Sequence, residues 1–402
     1  MTRERDVGLV VVGAGPAGAA AAIRAADAGV EVLCCDKARF PRDKTCGDGV
    51  TAAALRHLET LGLDVPALPG YAAVRETVLV SPSGREISLA LPDDGVYAAV
   101  VPRAELDREL AELARARGVE VRDGAGASRV STERDGVVVE LGDGTVLRAP
   151  YVVAADGHFS PVRRMLAAGA PPDLGTWHAF RQYFCGVDDP RLWVLFDADL
   201  LPGYAWVFPL PGGGANVGFG VRRDGRVNGK DLATKWRGVL DGARMRAILG
   251  PRAEPAGPRR AWPIPARFDP ANLTHGRVLF AGDAAGVVDP LTGEGIAQAI
   301  ETGIAAADAV ARGGDAVAAR YRRSVERTLR ADLRLADGLS RVLANPWRAK
   351  ATLRAVDASP WARRNFARWM FEDYPRALLA TPRRWRRGML HGPGAFRDTR
   401  SA

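Results

Sequence analysis

The stretch DVGLVVVGAGPAGAAAAIRAADAGVEVLCCD, residues 6 to 36, decides how the rest of the chain is read. Asp6 to Val12 is a short β-branched apolar run, and Gly13-Ala14-Gly15-Pro16-Ala17-Gly18 at its end has the spacing G-x-G-x-x-G. The alanine-rich residues 19 to 28 favour a helix, Gly29 stops it, and Val30 to Cys35 is a second apolar strand closed by Asp36. Each part has a physical reason. Gly13 makes the turn, Gly15 lets backbone approach a pyrophosphate, and Gly18 lets helix and strand pack closely, while the helix N-terminus offers N–H groups and positive dipole to the phosphates. Asp36, eighteen residues beyond Gly18, can accept the ribose hydroxyls. The unit predicts dinucleotide binding. Its acid argues against NADP, whose 2′-phosphate it would repel, and leaves FAD and NAD open.

With 402 residues, 47% of them apolar, the chain can build two domains, or one large one with an inserted substrate module. Of its four cysteines, Cys34 and Cys35 are adjacent in a predicted buried strand and point to opposite faces, so no disulfide framework is expected. The N-terminus lacks an apolar h-region and no run of eighteen apolar residues occurs, which predicts a cytoplasmic protein. The net charge of +9 is uneven. Residues 312 to 402 hold 21 Lys and Arg against 8 Asp and Glu, a balance of +13, which leaves −4 for residues 1 to 311. Trp347, Trp361, Trp369 and Trp385 are interleaved with this basic tail. A solvated helical cap is the plain reading, attachment to the inner face of an anionic membrane comes next, and nucleic acid is not expected.

Further along, Lys37 to Gly49 is a loop by its glycines, proline and charges, and Thr51 to Leu61 a helix. Val74 to Ala90 alternates and turns at Pro82-Ser83-Gly84, reading as a hairpin. Arg103 lies in a helix opening at Pro102 and ending before Gly118. Three strands are predicted near Val119 to Arg122, Val137 to Leu141 and Val146 to Arg148, and another from Tyr151 to Ala155 ends in Asp156-Gly157. Gly124-Ala125-Gly126 lacks a third glycine and a following alanine-rich helix, so it is not a second nucleotide site. From Trp177 to Val221 the pattern is aromatic and alternating, an antiparallel sheet, and Arg277 to Ala281 is again a buried strand before Gly282-Asp283 and a helix from Ile296. Segments of one nucleotide domain thus recur with a sheet module between them. The division is a dinucleotide-binding domain, which the resemblance given below makes an FAD-binding one, over 1–70, 102–173 and 266–312, a substrate-sheet hairpin at 71–101, an antiparallel substrate sheet at 174–265 and a basic helical region at 313–402. The fold class is α/β: a Rossmann-type domain, an inserted antiparallel sheet and a helical C-terminal region.

Three separated signals, Gly13 to Gly18 with Asp36, Asp156-Gly157 with Ser160 and Arg163, and Gly282-Asp283 with Pro290 and Gly293 to Gly295, together resemble the FAD-dependent aromatic hydroxylases and their relatives. Two further stretches resemble the geranylgeranyl reductase family within them: Pro41 to Gly49 (PRDKTCGDG), and Pro202 to Pro209 (PGYAWVFP), similar to that family's Y-x-W-x-F-P. The resemblance spans about residues 6 to 311. It implies that the cofactor is FAD, with Gly13, Gly15, Ala17 and Gly18 at the pyrophosphate and Asp36, beside Lys37, at the adenosine ribose. It further implies Arg103 at phosphate or ribityl oxygens, Ala127 by the adenine, Asp283 (with Gly282) at the ribityl chain, and Asp156-Gly157 in the same site. Cys46, Gly47 and Gly49 would border the flavin, and Gly295 and Ile296 would meet its pyrimidine edge, where a helix dipole favours negative charge.

The implied activity is hydride transfer from reduced FAD to carbon–carbon double bonds of a prenyl chain. An isolated alkene carries no electron-withdrawing group, so addition requires a proton and develops carbocation character that aromatic faces stabilise. Tyr204, Trp206 and Phe208 are the candidate substrate residues, although residues two apart on a strand also make one packed face. No proton donor can be named. The electron donor, NAD(P)H or a ferredoxin-like protein, would bind transiently, since no second dinucleotide fingerprint follows the first. The alternative is an FAD-dependent monooxygenase or halogenase on a natural product. Halogenase relatives carry W-x-W-x-I-P, where this chain has Tyr204 and Phe208.

Overall fold

Leu9–Val12 and Val32–Asp36 are buried along their whole length, as parallel strands covered on both faces must be. In this computed structural model, which describes residues 3–166, 175–223, 229–385 and 389–397, they lie at the middle of a six-stranded sheet. Its order is Thr274–His275, Val278–Phe280, Val152–Ala154, Leu9–Val12, Val32–Asp36, Glu120–Asp123, parallel except for the first pair. Strands from the start, middle and late part of the chain therefore meet in one sheet. The glycine turn feeds the Pro16–Asp27 helix, which packs on the Ile296–Ala311 helix so closely that a Cβ on Gly303 would collide with the Ala17 carbonyl. This is the Rossmann-type domain expected from the sequence.

Two details of that domain differ from the sequence reading. The Asp6 to Val12 run divides: Arg3–Asp6 leaves the nucleotide sheet and pairs with Thr145–Ala149 in a separate four-stranded sheet. A strand at Ala127–Thr132 completes that sheet, and only Val130 in it is buried, so it carries no apolar pattern to read.

The inserted module is an eight-stranded sheet in which Trp177–Cys185, Gly214–Arg222, Tyr204–Leu210 and Leu192–Leu195 follow in antiparallel order. Leu192–Leu195 then pairs in parallel with Glu76–Val80, which joins the early hairpin Glu76–Val80/Glu86–Ala90 to the later strands. Alternation along Tyr204–Leu210 sends Ala205 and Val207 to one face and Trp206 and Phe208 to the other. The first face is covered by the helices Gly229–Asp241 and Ala243–Leu249 through Leu232, Trp236 and Met245, helices that the sequence reading did not anticipate.

The second face is covered by the C-terminal helices Pro346–Val356 and Pro360–Met370, through Leu353, Val356 and Ala367, with Phe371 just beyond. Each of these helices begins on a capping side chain, Asn345 or Ser359, followed by proline. The preceding helix, Val317–Leu343, buries Tyr321, Val325, Leu329 and Leu333 at four-residue spacing against the nucleotide domain. The basic region is thus a structural wall as well as a charged surface. All four cysteines are free.

Candidate functional site

The glycine turn is built by two constraints and one opening. A Cβ on Gly13, whose φ is +97°, would strike the Ala155 carbonyl, and one on Gly18 would strike Gly13's own carbonyl, so both are needed for strand and helix to meet. Gly18 accordingly lies under the turn and does not reach the cavity. Gly15 is different: a Cβ there would meet only guanidinium nitrogens, Arg42 at 3.5 Å and Arg103 at 3.9 Å. It faces a cavity of about 570 Å³ that Ala17, Asp36, Lys37 and Ala127 also line. The helix N-terminus here has no capping side chain. Free helix N–H groups facing two guanidinium groups are a donor set suited to a pyrophosphate, so the residues present fit the phosphates of FAD.

Both cations are held from beneath by one acid. Arg103 grips the fully buried Asp107 through Nε and Nη2, each at 2.8 Å, and Arg42 approaches the same carboxylate at 3.0 Å. Asp36 is likewise fixed, accepting from the Ala14 and Ala38 N–H groups at 2.8 Å, which leaves further lone pairs towards the cavity it lines. Arg42 was not singled out from the sequence, although it stands in the quoted loop.

Cys46, Gly47, Asp156, Gly157, Asp283, Gly295 and Ile296 line the same cavity, Asp156 directly beside Gly13. Gly295 is the uncapped start of the Ile296–Ala311 helix, so that dipole also opens into the cavity. Two expected members lie elsewhere. Gly282 is buried between Ala17 and Ala299 and donates its N–H to Thr302 Oγ1, serving helix packing, and Gly49 borders a second, smaller cavity. Asp156 has a structural task too, since its Oδ2 accepts from Val162 N at 2.8 Å and caps the Pro161–Leu166 helix. Arg163 points away from the cavity and ties segments together: it lies over the Phe280 ring and donates to the carbonyls of Asn272 and Ala284. Burial pushes the Cys46 thiol up to about 11, which keeps it neutral at pH 7 and makes it a lining group rather than a thiolate.

The substrate sheet is locked to the Cys46 loop by a buried network that the sequence reading missed. Trp206 Nε1 donates to Asn216 Oδ1 at 3.1 Å, and Asn216 Nδ2 donates to the Cys46 carbonyl and to Asp48 Oδ2, each at 2.8 Å. Asp48 also accepts from Tyr183 Oη at 2.7 Å and from Arg103 N at 3.1 Å, in a left-handed conformation with φ +65°. Burial pushes its carboxyl up to about 6 against those hydrogen bonds. Asp48 and Asn216 are 168 residues apart, beyond the reach of any local pattern. Lys44 is a further missed cavity residue: its ammonium lies 4.0 Å over the Trp262 ring, and burial lowers it to about 8 although Asp283 opposes the shift.

Tyr204, Trp206 and Phe208 line the main cavity with successive ring centroids 6.0 and 5.9 Å apart. The smaller cavity, about 150 Å³, is walled almost entirely by apolar groups, among them Val194, Phe196, Leu353, Met370 and Phe371. Tyr204, Phe208, Leu291, Thr292 and Glu294 border both cavities. Glu294 is the only acid among them. Burial pushes its carboxyl up to about 8, helped by Glu372 and Asp289 and opposed by Arg376. Those three come from an ionic cluster in which Arg376 Nε meets Asp289 at 2.8 Å, while Glu372 accepts from Thr51 at 2.9 Å and Gln298 at 2.7 Å. The C-terminal segment therefore holds the loop from Asp289 to Gly295 in place.

The family described as FAD binding domain matches residues 6–320. The chain is 35% identical over 319 residues to the menaquinone reductase of Mycobacterium tuberculosis, covering 77% of each protein. It is 35% identical over 308 residues to digeranylgeranylglycerophospholipid reductase 1 of Methanopyrus kandleri, covering 73% of this chain and 78% of that one. Its fold is similar to that of a geranylgeranyl bacteriochlorophyll reductase-like protein from Thermoplasma acidophilum, with a TM-score of 0.80 at 22% identity, over 95% of this chain and 100% of the other.

Proposed function

The chain belongs to the geranylgeranyl reductase family of FAD-dependent oxidoreductases, and on that premise we propose that it saturates carbon–carbon double bonds in the prenyl chain of a lipid. The observation that carries this reading is the junction of the two cavities. A larger chamber bearing Arg42, Lys44, Arg103 and Asp36 meets an almost wholly apolar one at an aromatic strand, and a polyprenyl chain is an occupant whose chemistry suits the second while its alkene faces the first. The menaquinone and the digeranylgeranyl phospholipid for which two relatives are named carry prenyl chains on different headgroups, which supports the prenyl chain as the shared feature.

Bound FAD, once reduced, supplies the hydride. Gly13, Gly15 and the helix N-terminus would hold its pyrophosphate with Arg42 and Arg103, Asp36 its ribose, and Gly295 and Ile296 the edge where a helix N-terminus favours negative charge. One contribution of the protein at the alkene is electrostatic. The Trp206 and Tyr204 ring faces stabilise positive character on carbon, worth about 0.5–2 kcal/mol for each favourable face. The wall of Leu, Val, Phe and Met side chains excludes water that would otherwise quench such a centre.

The test is anaerobic incubation of chemically reduced enzyme with two lipids, an unsaturated menaquinone and a digeranylgeranyl phospholipid, followed by mass measurement. The expected result is a gain of two hydrogens for each double bond reduced. Unchanged prenyl chains in both would refute the reading. The source of electrons, a nicotinamide or a ferredoxin-like protein, would dock only transiently, and the tryptophan-bearing basic face would rest on an anionic membrane that delivers the lipid.

A further inference from the structure

Saturating an isolated alkene needs an acid as well as a hydride, and Trp206 and Tyr204 do not supply one. The Trp206 N–H is committed to Asn216, and the Tyr204 hydroxyl donates to the Thr292 carbonyl. Asp48 is fully buried beneath the loop and its oxygens are taken by Arg103 N, Tyr183 and Asn216. Asp289 accepts from the backbone of Leu291 and Thr292 and pairs with Arg376, and Glu372 is bound by Thr51 and Gln298. Glu294 stands apart from all of these. Its carboxyl carries no hydrogen bond or ion pair to a described residue, it borders both cavities, and its Oε1 lies 3.4 Å from where a Cβ of Gly49 would stand.

We infer that Glu294 is the acid that protonates the alkene. This rests on the prenyl-reduction reading. In the balanced step, the π bond breaks and two C–H bonds form: a hydride from reduced FAD reaches one carbon, and the Glu294 carboxyl proton reaches the other. The alkene gains two electrons, reduced FAD loses two and returns to its oxidised form, and Glu294 is left as a carboxylate that takes a proton from solvent before the next turnover.

The groups facing Glu294 favour its being charged with a proton at neutral pH. Glu372, from the C-terminal segment, and Asp289, from its own loop, repel a negative charge there, while Arg376 is engaged by both of those acids. Tyr204 from the sheet and Cys46 from the loop face it as neutral groups. Burial is the larger cause, the repulsion adds to it, and together they hold the carboxyl at about 8, so it is an acid below that pH and a base above it. Bound lipid would exclude water from both cavities and strengthen the same effect.

Two measurements test the assignment. In the oxidised protein without lipid, pH-difference infrared spectra should show a protonated carboxyl band that titrates near pH 8 and is absent from Glu294→Gln. In anaerobic single turnover, Glu294→Gln should bind and reduce FAD with an unchanged spectrum, yet be reoxidised by a prenyl lipid roughly 10²–10⁴-fold more slowly. Glu372→Gln should move the alkaline limb of the wild-type rate to lower pH, because the repulsion that raises Glu294 is removed. That variant carries the test should Glu294→Gln fail to fold. Reoxidation of Glu294→Gln at the wild-type rate, an infrared band untouched by the substitution, or an alkaline limb indifferent to Glu372→Gln would each overturn the donor. A wild-type enzyme whose reduced FAD no prenyl lipid reoxidises would instead refute the substrate reading, and the donor with it.

Discussion

Gly15 and Gly18 stand three residues apart and answer to different demands. The space beyond Gly15 is cavity, so Gly15→Val is expected to fold with nearly the wild-type melting temperature and to purify without colour. Gly18→Ala drives its Cβ into the Gly13 carbonyl and should lower stability outright, by the 1–3 kcal/mol typical of overpacking. Thermal melts paired with the flavin absorbance separate the two, and a yellow Gly15→Val would contradict the placement of the pyrophosphate. At Trp206 the ring face and the N–H can be tested separately. Trp206→Phe keeps a face and should retain most alkene reduction, whereas Trp206→Leu should lose about 5–30-fold, the equivalent of roughly 1–2 kcal/mol. Equal rates for the two variants would remove the aromatic role. The glycine turn and the aromatic strand were readable because each is a local pattern with a fixed period. Asp48, Asn216 and Glu294 were not, since each depends on a partner far off in the chain, Asp48 and Asn216 on each other across 168 residues and Glu294 on Glu372, that only the fold brings near.

At the scale of elements, the segment after the Pro360–Met370 helix acts as a buttress. Arg376 is buried with Asp289 and Glu372, so Arg376→Met leaves two buried carboxylates without their cation and should cost about 3–5 kcal/mol. The pH dependence has a definite sign. Burial already holds Glu372 above the ordinary carboxylate range against Arg376, and losing the arginine raises it further. The folded variant then binds a proton that the unfolded chain releases, so its stability falls as pH rises through the interval between those two values. Melts across pH 5 to 8 should show the gap to wild type widening towards pH 8, and a constant gap would contradict the cluster's electrostatics. Elements were legible where burial imposed periodicity, as in Val32–Asp36, Ile296–Ala311 and the Glu76–Val80 hairpin. They were hidden where it did not: Ala127–Thr132 buries a single valine, and Gly229–Asp241 offers one apolar stripe in a polar stretch.

The whole molecule places its positive charge and, Phe159 apart, the exposed large apolar side chains of its described residues on the same part of the chain. Trp347 and Trp361 are 76% and 67% exposed, and Val342, which borders the apolar cavity, lies close to Trp347 in sequence at the rim formed by the Val317–Leu343 helix. None of the described helices is long and apolar enough to cross a membrane. Flotation with anionic liposomes should therefore show salt-sensitive binding that Trp347→Ser and Trp361→Ser together weaken at least tenfold. Absence of binding at low salt would remove the membrane from the account. Composition pointed to this basic tail, but not to its second task of walling the substrate sheet, because the inward stripe of its helices is diluted by arginine on every other face.

The central claim is that reducing power held on FAD ends on a prenyl chain. It is tested most directly with an unsaturated menaquinone, incubated anaerobically with reduced enzyme and then exposed to air before mass spectrometry, so that any quinol returns to quinone. A two-hydrogen gain that survives the air and maps to the side chain is the predicted result. A mass that returns to the starting value, or one that has gained oxygen, would contradict it.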